Sequence, residues 1–167
     1  MPVDNFGFTF KHCEGFTLCG GQRDPYAVIT HPNSGNRSQS QFIYPFEGTA
    51  TLVADGIPSM QMVTGLLNDM SHFGGHNTVV HFGPAGGRWI AINPSPETKL
   101  YDAILLKDGQ STTVTGTQKE CVALTLQGSS VCNTTEIPEM QFASITEGKQ
   151  VTVTAQAGSV VVILTER

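Results

Sequence analysis

The chain has 167 residues, enough for a single domain over 1–167 to bury a core without disulfide or metal staples. Only 14% of residues are charged, and 9 Lys and Arg against 14 Asp and Glu leave a net charge of −5. That balance argues against a nucleic-acid partner, which needs a basic face, against an anionic membrane surface, and, with 39% apolar residues, against disorder.

Taken in order, Asn5 to Phe10 alternates aromatic with small or polar residues and predicts a strand burying Phe6, Phe8 and Phe10. Thr17 to Cys19 extends the sheet up to Gly20-Gly21, and Tyr26 to Thr30 is a β-branched strand. His31 to Ser40 has the composition of an exposed loop. Gln41 to Phe46 and Thr49 to Ala54 predict a hairpin around Glu47-Gly48, closed by a second turn at Asp55-Gly56. Ser59 to Met70 is the one predicted helix: Ser59 is an N-cap type, and Val63, Leu66, Leu67 and Met70 recur at helical spacing. Met60, Met62 and Met70 are expected to fill core gaps.

Beyond His72 the pattern returns to strands. Thr78 to Phe82 and Arg88 to Ile92 flank a predicted turn at Gly83-Pro84-Ala85-Gly86-Gly87. Short strands follow at Ala103 to Leu106, Thr112 to Thr115, Cys121 to Leu126, Ser130 to Asn133, Gln141 to Ile145, Val151 to Ala155 and Ser159 to Thr165. Turns at Asp108-Gly109, Gln127-Gly128 and Glu147-Gly148 separate several of them. Many short strands at close spacing predict an all-β jelly roll or barrel. No C-x-x-C pair joins Cys13, Cys19, Cys121 and Cys132, so free thiols in a reducing, cytoplasmic setting are expected. No apolar run is long enough to span a bilayer as a helix, and Met1 to Asn5 lacks the features of a signal peptide.

Several segments resemble the cupin superfamily. Leu105 to Ser111, Cys121 to Gly128, Glu147 to Val153 and Ala157 to Val161 are similar to the strands and turns of the two cupin motifs. Tyr44 to Gly56 is similar to the common cupin hairpin, and Pro84 to Asn93 to the second motif. The resemblance implies a cupin-like double-stranded β-helix, or jelly-roll barrel, with the predicted helix added. Two degenerate halves in one chain are an alternative to one elaborated barrel. The resemblance does not carry the family's metal ligands across. Its His-x-His pair falls near Val114 to Gly116, Glu120 stands one residue out of register, and Val161 holds the second-motif histidine position. In the earlier match Trp89, Gln41 and Arg37 stand at the corresponding places.

The densest chemical cluster is His72 to His81, with three of the five histidines in ten residues and Asp69 nearby. His72 and His76 share a face of an extended chain and are the candidate metal ligands; a third ligand would come from His12, His31 or Glu47. The alternative is that His72 and His76 are loop residues and His81 a hydrogen-bonded strand residue. A metal-free acid–base pair, implied by cupin-like epimerases, would join His76 or His81 to Tyr44 or Tyr101. Arg88, with Arg37 and Arg23, is the candidate anion binder, and Trp89 could stack a ligand or serve the core. Cys13 and Cys19 beside His12 are a weaker nucleophile arrangement, because adjacent strand residues point apart. The expected function is small-molecule binding, sugar- or metabolite-directed, in a homodimer. The alternative is a structural or interaction β-module.

Overall fold

The structure is a computed structural model that describes residues 9–13, 16–23, 25–26, 28–32, 42–70, 77–93 and 100–167. The chain forms two compact units, Met1–Lys99 and Leu100–Arg167. The described residues are all-β, and none is helical.

The first unit holds β1 (Thr9–Cys13), β2 (Phe16–Arg23), β3 (Val28–Pro32), β4 (Phe42–Ala54), β5 (Ile57–Met62), β6 (Asn68–Asp69) and β7 (Asn77–Asn93). They make one seven-stranded sheet in the order β1-β2-β7-β4-β5, with β3 also on β7 and β6 on β4. Its axis is the antiparallel pair of β4 and β7, of 13 and 17 residues. The expected strands at Phe6 and Phe8 and most of the 31–40 loop lie outside the described residues.

Three expectations are corrected here. Glu47-Gly48 does not reverse the chain, and neither does Gly83 to Gly87: β4 and β7 each continue through these points. The two predicted turns lie opposite one another in a single ladder, where Gly48 pairs with Gly87 and the register shifts between Pro45 and Glu47 and again between Gly48 and Ala50. Bulges kink a strand without ending it. The glycines are needed for close approach: Gly48 has φ +77°, and a Cβ there would overlap the Gly86 carbonyl oxygen.

The third correction is the helix over 59–70. Ser59 to Met62 alternate exposed and buried as part of β5, with Met60 opposite Leu52 and Met62 opposite Ala50. Val63 and Leu66, expected on a buried helical stripe, are 50% and 51% exposed. Gly65 N–H donates to the Pro45 carbonyl at 2.9 Å, and Thr64 Oγ1 donates to the Gly48 carbonyl. Asn68 holds the loop from within, donating to the Leu66 carbonyl at 2.9 Å and accepting from Val63 N–H at 3.2 Å. Hydrogen bonds to the bulged strand thus outweigh a weak helical propensity broken by Gly65. Met62 and Met70 are buried core residues, with Met60 packed against them, as expected of the methionines.

The core of this unit joins Ile43, Ala50, Leu52, Val80, Phe82, Trp89 and Ala91. In β4 the core-facing positions change from odd to even numbers across the bend, and in β7 from even to odd. The bulges therefore keep one continuous apolar face although each strand changes phase.

The second unit follows the predicted strands closely: β8 (Tyr101–Lys107), β9 (Ser111–Thr115), β10 (Cys121–Gln127), β11 (Ser129–Cys132), β12 (Thr135–Pro138), β13 (Phe142–Ser144), β14 (Gln150–Ala155) and β15 (Val160–Glu166). Only β12 is new. Two four-stranded antiparallel sheets, β13-β10-β15-β8 and β12-β11-β14-β9, share a core. Leu106, Cys121, Ala123, Val161 and Ile163 come from the first sheet, and Cys132, Ile137, Val153 and Ala155 from the second. The β8–β9 turn has Asp108 at φ 44° and Gly109 at φ 81°, and it carries the chain from the first of these sheets to the second. Val122, Leu124, Val162 and Leu164 are also buried, so the β10–β15 pair is apolar on both faces.

Candidate functional site

The β4–β7 bend gathers the polar and aromatic groups best suited to hold a ligand. Phe46 is the extra residue in the bulge between Pro45 and Glu47. Its ring meets Tyr44 edge-on, with centroids 4.9 Å apart at 77°. The Arg88 guanidinium carbon stands 4.2 Å over the same ring. Tyr44 is buried, whereas Phe46 and Arg88 are half-buried, so the aromatic strip runs from interior to surface and ends at a cation. Glu47, exposed, stands opposite Arg88 in register.

This geometry has chemical content. A guanidinium stacked on an aromatic face keeps its charge and its rigid N–H fork, while the ring limits the rotamers it would lose on binding. The edge of such a fork matches a carboxylate or phosphate bidentately. Bulges at a strand bend re-aim side chains and are enriched beside binding sites.

The other candidates do not converge on this point. Trp89 is 3% exposed and belongs to the core face of β7, opposite to Arg88. His81 is exposed on the face away from the core, in a cross-strand row with Val28 and Thr51. Tyr44 pairs with Ile90, and His81 with Thr51. These rungs stand on opposite sides of the bend, and Tyr44 is buried whereas His81 is exposed on the face away from the core. Tyr101 lies in the second unit, buried, with its hydroxyl donating to Glu120 Oε1 at 3.1 Å. His72, His76, Arg37 and Gln41 fall outside the described residues; so do the side chains of Arg23, His12, His31, Cys13 and Cys19.

Where the resemblance would put metal ligands in the second unit there is hydrocarbon. Val161 is fully buried in the shared core, and Val114 packs against it. Neither offers a donor atom. Among the described residues no group of three His, Cys, Asp or Glu side chains is placed to hold a metal ion. Phe46 and the loop donors Thr64 and Gly65 were not anticipated from sequence. The alternation of Tyr44 with Phe46 just before Glu47-Gly48 was the available signal.

No family model matches the chain. No curated protein matches it either. Solved structures do. HutD from Pseudomonas fluorescens SBW25 superposes with a TM-score of 0.57 at 12% identity, over 99% of this chain and 97% of that one. A cupin 2 conserved barrel domain protein from Leptotrichia buccalis matches with a TM-score of 0.53 at 8% identity, over 100% of this chain and 92% of that one. The fold is cupin-like. Quercetin 2,3-dioxygenase from Acinetobacter baumannii, with a TM-score of 0.64 at 14% identity over 92% of this chain and 75% of that one, has the same architecture. At such identities the likeness is one of fold. A cupin-like scaffold hosts many chemistries, and this chain's function has to be argued from its own residues.

Proposed function

We propose that this cupin-like protein binds a small molecule bearing a carboxylate or phosphate, sugar- or metabolite-derived, at the β4–β7 bend. The observation carrying this reading is the Arg88 guanidinium stacked 4.2 Å over Phe46, with Tyr44 edge-on behind it. Arg88 would grip the anionic group, and the aromatic strip would take the apolar or planar body. The single-domain organisation over 1–167 and a cytoplasmic location belong to the same reading. Cys121 and Cys132 support the location: both are free, buried thiols. No helix among the described residues is long and apolar enough to cross a membrane.

The test is a thermal-shift and calorimetric screen of the purified protein against sugar phosphates and small carboxylates. At least one should bind. Arg88→Ala should weaken that ligand roughly 10- to 100-fold, the worth of one charge-assisted interaction, and Arg88→Lys should recover little of the loss. Binding unchanged in Arg88→Ala would sink the site. Elemental analysis belongs beside the screen: if a divalent metal co-purifies, His72→Ala and His76→Ala should each release it.

A second reading is favoured by the second unit. Its apolar interior fills the places where the resemblance would put chemistry, as a scaffold or interaction module would. A screen without any ligand would leave that reading standing.

A further inference from the structure

Sheet edges are liabilities, because their unpaired N–H and C=O groups invite another chain. Most described edges in this protein are blunted. β1 carries Lys11, β5 carries Pro58, and β3 ends in Pro32. β6 and β13 are only two and three residues long. β8 carries Asp102 and Lys107, with Arg167 Nε bound to Asp102 at 2.8 Å. β12 carries Glu136 and Pro138. β9, Ser-Thr-Thr-Val-Thr over Ser111–Thr115, has neither charge nor proline, and its five residues alternate exposed and half-buried. It pairs with β14 on one side only.

The direction of its backbone groups follows from the ladder. Ala155 N–H donates to the Gln110 carbonyl at 3.0 Å, and Gly116 N–H donates to the Lys149 carbonyl at 2.9 Å. In an antiparallel pair, hydrogen-bonded and non-hydrogen-bonded rungs alternate. Gln110, Thr112, Val114 and Gly116 therefore turn their backbone groups toward β14, whereas Ser111, Thr113 and Thr115 turn theirs to the open edge. Side-chain contacts agree: Ser111 Oγ meets Thr154 Oγ1 at 2.9 Å and Thr113 Oγ1 meets Thr152 Oγ1 at 3.1 Å, as expected on the closer, non-hydrogen-bonded rungs.

We propose that β9 is a homodimer interface, pairing antiparallel with β9 of a second copy about a twofold axis at Thr113. Three features select a second copy. An antiparallel register centred on Thr113 sets Thr113 against its own counterpart and Ser111 against Thr115, so each outward residue of both copies exchanges its N–H and C=O. The same register puts Thr112 against Val114, matching β-branched side chains across the strands. Finally, a net charge of −5 works against self-contact through charged surface, and β9 carries no charge along its five residues. The result is an eight-stranded sheet running through both copies, and the edge of half-buried Val114 is covered.

Sedimentation velocity and light scattering test this at concentrations on the order of 0.1 mM. The wild type should have twice the 17.9 kDa mass of one chain. Thr113→Lys and Thr113→Asp each set like charges face to face and should raise the dissociation constant by about 100-fold or more. An equimolar mixture of the two should dimerise again, which also shows that both variants are folded. Thr135→Lys, on the opposite edge of the same sheet, should leave the dimer intact. A monomeric wild type overturns the proposal, as does a dimer that tolerates both single variants. Failure of the mixture to re-pair overturns the twofold at Thr113.

Discussion

Thr125 and Ser130 are both fully buried, and their hydroxyl oxygens lie 2.7 Å apart. Thr125 Oγ1 also donates to the Ile137 carbonyl at 2.9 Å. A hydroxyl has one proton, so Ser130 must be the donor to Thr125. Thr125→Val preserves the shape but strands a donor and an acceptor, and should cost about 1–3 kcal/mol in urea unfolding. Cys121 and Cys132 lie in the same core. Burial pushes both thiols up, and in Cys121 a contact with Thr165 Oγ1 at 3.7 Å pulls partly back. Below about pH 9 both thiols are protonated in the folded and unfolded chain, so they add no pH dependence there. Above it the unfolded chain releases protons that the folded chain retains, and stability must fall as pH rises. Cys121→Ser combined with Cys132→Ser should flatten the alkaline limb of a stability–pH curve, whatever it does to stability at pH 7. Of the candidate site's residues, Arg88 was named from the sequence, with Arg37 and Arg23, as a candidate anion binder. Phe46 was not, because a bulge shows itself only when the partner strand is known.

At the scale of elements, glycine told the truth about the backbone and misled about the path. Asp55-Gly56 does reverse the chain into the paired β5, and Asp108-Gly109 makes a tight turn that carries it from one sheet to the other. Glu47-Gly48 and Gly83 to Gly87 carry the same local signal, yet they face each other across a ladder. What separates reversal from bend is the long-range pairing of β4 with β7, which no local window contains. Gly48 and Gly56 make the difference measurable. Their φ values are +77° and +73°, so alanine is conformationally strained at either. A Cβ at Gly56 meets nothing within 4 Å, whereas at Gly48 it strikes the Gly86 carbonyl. Gly56→Ala should cost about 1 kcal/mol, and Gly48→Ala at least about 2 kcal/mol more. Equal losses in thermal unfolding would mean that the close approach is absent. The predicted helix failed on the same ground: Val63, Leu66 and Met70 are spaced like a helix, but Thr64 and Gly65 serve the bend's carbonyls.

Across the whole molecule, legibility follows local alternation and not contact range: β8 pairs with the distant β15 and β9 with the distant β14, and all four were read, whereas β12 pairs with its neighbour β11 and was not. In the second unit β8 and β9 are joined by a tight turn, and alternation with glycine punctuation located seven of its eight strands. β12 escaped because Glu136 and Pro138 break the alternation expected of a strand. In the first unit β4 meets β7 across the intervening β5 and β6, and there only the strand character was readable. The bend they share also governs how this chain's length can vary. Ile43 and Ala50 face the same core although they differ in parity, and Phe82 and Trp89 do likewise on the other strand. Phe46 is the extra residue behind that change of parity, so deleting it leaves Ile43 and Ala50 an even number apart, the separation at which an unbulged strand keeps both, and the fully buried Leu52, on the core face. Deleting Phe46 should therefore still give soluble, folded protein, whereas deleting two adjacent residues between Ile43 and Ala50 leaves an odd separation that needs a bulge again. Among descendants of this sequence, loss of Phe46 would exchange the bend for a straight strand without turning the core outward.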